Sequence, residues 1–128
     1  MGQQNLLFIV VGIMIVALAV TVAISMFRSN SIETARNNII VDLGFYAHKA
    51  REYYWKPRIQ GGGDRSFLGV RIDNIAYKTE NENGRYFVES STLDEVVLVG
   101  VGRMISGNDS LRVRMVVSER TNQVEIIN

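Results

Sequence analysis

From residue 6 to residue 27 the sequence reads LLFIVVGIMIVALAVTVAISMF, with no charged residue and no proline, interrupted only by Gly12, Thr21 and Ser25. As an α-helix rising ~1.5 Å per residue, this stretch covers about 33 Å, close to the ~30 Å hydrocarbon core of a bilayer. The chain has 128 residues. That leaves about 100 for a soluble part, enough for one domain and too few to surround a long helix that is apolar on every side. The segment is therefore predicted to cross a membrane once. Ala17-Leu18-Ala19 resembles the small-residue site at which secretory signals are cut. However, Met1-Gly2-Gln3-Gln4-Asn5 carries no positive charge, and the apolar run continues past Ala19. An uncleaved anchor is the better reading. Arg28 follows the span and by itself favours a cytoplasmic C-terminal side; Glu33 and Asp42 offset Arg28 and Arg36, so the bias is small.

Past Asn30 the pattern turns periodic. Ile32, Ala35, Ile39, Leu43, Tyr46, Ala47, Ala50 and Tyr54 recur at three- and four-residue spacing, and Glu33, Arg36, Asn37, Asp42, Lys49, Arg51 and Glu52 fill the opposite side. No proline interrupts the chain before Pro57. The spacing predicts one continuous helix over 6–55, roughly 75 Å long, whose second half needs a domain against which to bury its stripe.

Pro57 ends that helix, and Gly61-Gly62-Gly63-Asp64 reads as a flexible connector. It lacks the Gly-Lys-Ser/Thr continuation of a phosphate-cradling loop, since Arg65-Ser66 follows. Beyond it, strands are predicted over 67–72, 74–79, 85–89, 96–104, 111–118 and 123–127, separated by turn-rich pieces at 81–84, 106–110 and 119–122. Leu111, Val113, Met115 and Val117 alternate with Arg112, Arg114, Val116 and Ser118, as in a sheet with one buried face. Laying that face over the helical stripe gives a two-layer core. The expected class is α+β: a long N-terminal α-helix, membrane-spanning and then amphipathic, packed against a C-terminal antiparallel β-sheet. Residues 1–30 form the spanning helix. Residues 31–128 form a small head with an amphipathic helix at 31–56, a Gly-rich loop at 57–66 and the sheet at 67–128.

Charge and composition narrow the function classes. The formal net charge is +1, from 14 basic and 13 acidic side chains that are interspersed, so no nucleic-acid partner is predicted. Cysteine is absent, which removes disulfides, thiolate metal sites and thiol nucleophiles. His48 is the single histidine; four-residue spacing sets it beside Glu52 on the helix surface, where a solvated pair is a better reading than a metal or general-base site. Glu80-Asn81-Glu82-Asn83-Gly84 is too short for a calcium loop and reads as a hairpin turn. Tyr53-Tyr54-Trp55 is read as the seam between helix and sheet rather than a binding patch. No serine, aspartate or glutamate falls in a catalytic motif, so neither an enzyme, a cofactor, a metal nor a small-molecule substrate is predicted.

A long helix, half spanning and half amphipathic, followed by a loop and an antiparallel sheet, resembles type IV pilins and the pseudopilins of type II secretion. Subunits of that superfamily are cut after a glycine at the edge of the apolar stretch, and Gly2 is the glycine in position, which would leave Gln3 as the first residue. The resemblance implies an inner-membrane protein with an extracytoplasmic head, which polymerises with copies of itself or related pilin-like subunits into a helical filament. Gln4 and Asn5 would take part in subunit contacts, and Gly12, Ala17, Ala19 and Ala23 would let neighbouring helices approach. Where the family usually carries a glutamate, this chain has Asn5, Leu6 and Leu7, and it lacks the cysteine pair of many pilins. The first of these departures fits a minor or divergent subunit better than a standard major pilin. The competing reading is a single-pass envelope protein whose sheet domain binds or scaffolds without polymerising.

Overall fold

A computed structural model describes residues 2–76 and 78–128. The chain divides into two compact units, one ending at Glu33 and the other running from Thr34 to Asn128. A single helix, α1 (Gly2–Trp55), makes up the first and opens the second. No proline or glycine pair breaks its hydrogen-bonded ladder, so the helix passes without interruption from the apolar to the amphipathic sequence.

In the second unit α1 presents the predicted stripe. Ile39, Leu43, Tyr46, Ala47, Ala50 and Tyr54 are all buried. They cover a four-stranded antiparallel sheet in simple sequential order: β1 (Gly84–Ser91), β2 (Glu95–Ser106), β3 (Asp109–Ser118) and β4 (Asn122–Ile126). Register sets the inner face. Tyr86 lies opposite Gly100 and Val88 opposite Leu98; Val96, Leu98 and Gly100 then face Val117, Met115 and Val113. Two glycines on β2 admit the helix. A Cβ at Gly100 would lie 2.6 Å from Ile39 Cγ2, and one at Gly102 would lie 2.7 Å from Ile39 Cδ1. Ile39 thus seats in a notch that any larger residue would fill.

The sheet begins at Gly84 rather than at residue 67. Residues 67–72 form no strand: Val70 N donates to Phe67 O at 3.1 Å in a turn, and Gly69 takes φ 77°. The described residues of 74–79 form none either, because a one-turn helix, α2 (Ile72–Ile75), occupies their start; Tyr77 lies outside the described residues. Phe67, Val70 and Ile75 are nevertheless buried. Their apolar character anchors an irregular segment to the core at spacings of three and five, which no strand has. Thr79 and Glu80 then meet β1, through a bridge between Glu80 and Arg85 and a bond from Tyr86 N to Thr79 O at 3.0 Å.

The Gly-rich loop is a helix cap rather than a loose connector. After α1 a short 3₁₀ turn (Arg58–Gln60) folds the chain back. Gly63 N then donates to Tyr53 O at 2.8 Å, Asp64 N to Lys56 O at 3.0 Å and Arg65 N to Tyr54 O at 2.6 Å. These donors satisfy the carbonyls that a helix leaves open at its C-terminus. Gly62 and Gly63 have no room for a side chain, since a Cβ there would strike the Lys56 and Ser66 carbonyls respectively.

Candidate assembly surface

From Gly2 to Asn30 every residue of α1 is exposed. Every large apolar residue from Leu6 to Phe27 is between 44 and 75% exposed, and the helix is long and apolar enough to cross a membrane. Such a surface is costly to expose to water on all sides and is suited to lipid or to other apolar helices. Thr21, the one hydroxyl at its centre, donates to Ala17 O at 2.9 Å. Its polar group is thereby satisfied inside the helix, as an apolar surrounding demands.

At about 100° per residue, Asn5, Gly12, Ala19 and Ala23 fall within a narrow arc of the helix, while Ala17 points well away from it. The structure therefore brings three of the four predicted small residues onto one stripe. Gly2, Gln3, Gln4 and Asn5 occupy the first turn, all exposed. This turn contains no acidic residue, so it offers no carboxylate of its own to its open N–H groups. A Cβ at Gly12 would meet nothing within 4 Å. Nothing inside the chain requires glycine there.

In the head, two side chains assigned by spacing to the wet side of α1 instead tie the helix to its neighbours. Asp42 is half-buried, and its Oδ2 accepts Nδ2 of Asn81 at 2.9 Å, Nδ2 of Asn83 at 2.8 Å and the Tyr86 hydroxyl. Burial pushes the Asp42 carboxyl up, but the bonds from Tyr86, Asn83 and Asn81 outweigh it and hold the pKa below the ordinary 3.8. Tyr86 moves the opposite way, raised by burial and then by its bond to the Asp42 carboxylate. Tyr46, buried beside the same carboxylate, is also raised, and its hydroxyl donates to Lys78 O at 2.7 Å. Arg51 donates from Nε to Ser118 O at 3.2 Å and from its fork to Asn122. These partners lie 39 or more residues away in the chain, which is why no spacing rule finds them.

His48 and Glu52 sit as predicted on the helix surface, 3.3 Å apart and exposed. The aromatic triplet divides. Tyr54 is buried against Phe67 with ring centroids 4.6 Å apart, as a seam requires, whereas Trp55 is exposed with the Arg65 guanidinium 5.8 Å over its ring.

On the sheet face turned away from α1, the Arg114 fork meets Glu89 at 2.9 and 3.1 Å and Glu125 at 3.4 Å. These links join β3 to β1 and β4, and Val99, opposite both Phe87 and Arg114 in register, is buried on that otherwise wetted face. The chain matches no family model, and no curated protein or solved structure is significantly similar to it. The architecture is compatible with that of pilin-like proteins; no relative assigns the chain to them.

Proposed function

We propose that the chain is a structural subunit of a type IV pilus-like or pseudopilus filament, held first in the inner membrane by residues 6–27 and then polymerised through the same apolar helix. The observation that carries this reading is the continuity of α1, one helix whose N-terminal part exposes apolar side chains on all sides while its C-terminal part is half buried under a sheet. A membrane anchor needs only the first part. A subunit extracted from lipid needs the second part on the same helix as well, because burial of apolar helix surface against neighbouring copies drives assembly and the head is what the filament then displays. The stripe of Asn5, Gly12, Ala19 and Ala23 supports close helix contacts. The protein works by packing and not by catalysis, and its partners are the membrane and other pilin-like subunits.

The acid-free first turn favours the second reading, a single-pass envelope protein with a non-polymerising sheet domain, because a subunit usually offers a carboxylate to its neighbour's amine. N-terminal sequencing of the protein from its native membrane separates the two. A chain beginning at Gln3 supports prepilin-type processing after Gly2, and an intact start counts against it. A double variant, Ala19→Cys with Val41→Cys in this cysteine-free chain, supplies a second reading under oxidation: a ladder of cross-linked species for a filament, none beyond a dimer for a solitary anchor.

A further inference from the structure

We propose that the sheet face turned away from α1 carries a binding site for a tetrahedral oxyanion dianion of the phosphate type, formed by Arg85 and Arg112 across Val101 with Arg103 at its edge. Register places the first two: Arg85 on β1 and Arg112 on β3 both lie opposite Val101 on β2. Two strand spacings separate their Cα atoms by about 10 Å, within the combined reach of two arginine side chains converging on one anion. Together with Glu80, Gly84, Phe87 and Arg103 they line a groove of about 400 Å³.

The charge balance of this groove is unequal to that of its neighbour on the same face. Two residues along β3 from Arg112, Arg114 is neutralised by Glu89 and Glu125. Arg103 donates to Glu80 at 2.9 Å and is further held by Asn81 O at 2.9 and 3.1 Å. Arg85 and Arg112 make no side-chain hydrogen bond or ion pair among the described residues. Glu80 is the one carboxylate in the groove lining and is already engaged, so three guanidiniums against one acid leave a balance of +2. Like charges held across a sheet repel, and an anion between them relieves that repulsion. The planar forks of arginine match the oxygens of phosphate. A dianion neutralises both, whereas a single carboxylate leaves one charge uncompensated. Phe87 and Val101 supply no competing acceptor side chain. The proposal stands independently of polymerisation.

The test is an NMR titration of the full chain in non-ionic detergent, with inorganic phosphate added at constant ionic strength and acetate and chloride as comparison anions. The expected result is saturable shifts at Arg85, Val101 and Arg112, with phosphate binding at least tenfold tighter than acetate. Arg85→Gln and Arg112→Gln should each weaken phosphate binding at least fivefold, while Arg58→Gln leaves it unchanged. Arg112→Lys, which keeps the charge and loses the fork, should fall between. Thermal melts of each variant establish that the fold persists, and if one glutamine variant fails to fold, the lysine variant carries the comparison. Soluble glycerol phosphate and micelles doped with phosphatidic acid, run in parallel, separate free from lipid-borne phosphate; binding of either through the two arginines supports the site. Shifts that do not saturate, equal affinity for acetate, or phosphate binding indifferent to both substitutions would overturn it.

Discussion

Asp42 is the residue through which the head's weakest-looking segment is fixed. Its one oxygen gathers Asn81, Asn83 and Tyr86, and Asn81 Oδ1 in turn accepts the N–H groups of Asn83 at 2.9 Å and Gly84 at 3.1 Å. The turn before β1 is thus built around a carboxylate supplied by the helix. Tyr86→Phe keeps the ring against Tyr46 and removes one bond to a charged acceptor, so it should cost about 1–2 kcal/mol in urea unfolding. The sign of the pH effect follows from Asp42. Folding lowers its pKa below 3.8, so the folded chain binds this proton less readily than the unfolded one. The contribution is complete above that value and is lost as pH falls through it and on through the folded pKa. The melting temperature of the native chain should therefore drop more between pH 6 and pH 3 than that of Asp42→Asn, and parallel curves for the two would exclude the role. None of this was legible in the sequence. On a helical wheel Asp42 is one polar residue among seven, and what draws it from water lies some forty residues further on, at positions spacing cannot reach.

At the scale of elements, the strands that could be read beforehand are those whose side chains alternate between a covered and a wetted face. β3 alternates through Leu111, Val113, Met115 and Val117, all buried, and the predicted and observed spans differ by two residues at one end. Residues 67–79 misled because burial there is set by tertiary anchoring: Phe67 stacks on Tyr54 and Val70 closes a turn, giving apolar content without a ladder. The glycine triplet misled in the other direction. Glycines read as freedom in a sequence, but Gly62 and Gly63 are glycines because backbone carbonyls occupy the space of a side chain. Gly63→Ala should then destabilise the head by more than about 2 kcal/mol, since it opposes a helix cap and a close backbone contact together. Gly44→Ala provides the contrast. A Cβ there meets nothing within 4 Å and the position is mid-helix, so the replacement should stabilise the isolated chain by up to about 1 kcal/mol. Chemical denaturation of the two variants should move in opposite directions. The sheet carries its own test: Gly102→Ala should cost about 1–3 kcal/mol through its clash with Ile39 Cδ1, and Ile39→Val, which removes that atom, should recover part of that loss when the two are combined.

At the scale of the molecule, α1 carries two kinds of surface along one unbroken ladder: apolar on every side over residues 6–27 and half buried beneath the sheet from Ile39 onward. The two are separately legible, the first from an uncharged apolar run of bilayer length and the second from three- and four-residue spacing. Asn30 lies between them, exposed and outside both the apolar span and the buried stripe. Asn30→Pro removes one backbone bond and sets the proline ring against the carbonyl a turn earlier, at a cost of ~3 kcal/mol or more in a helix interior, while touching no core side chain. Membrane retention should survive, because the apolar run is intact, and the head should melt within a few degrees of the native protein, because its buried stripe begins at Ile39. On the function proposed above, filament formation should fail, because the helix is broken between its apolar run and its buried stripe. Carbonate extraction, a thermal melt and the oxidative cross-linking ladder read the three outcomes separately. If the ladder persists unchanged in Asn30→Pro while the first two readings hold, the proposed polymerisation does not depend on an unbroken α1, and the continuity of the helix has some other use.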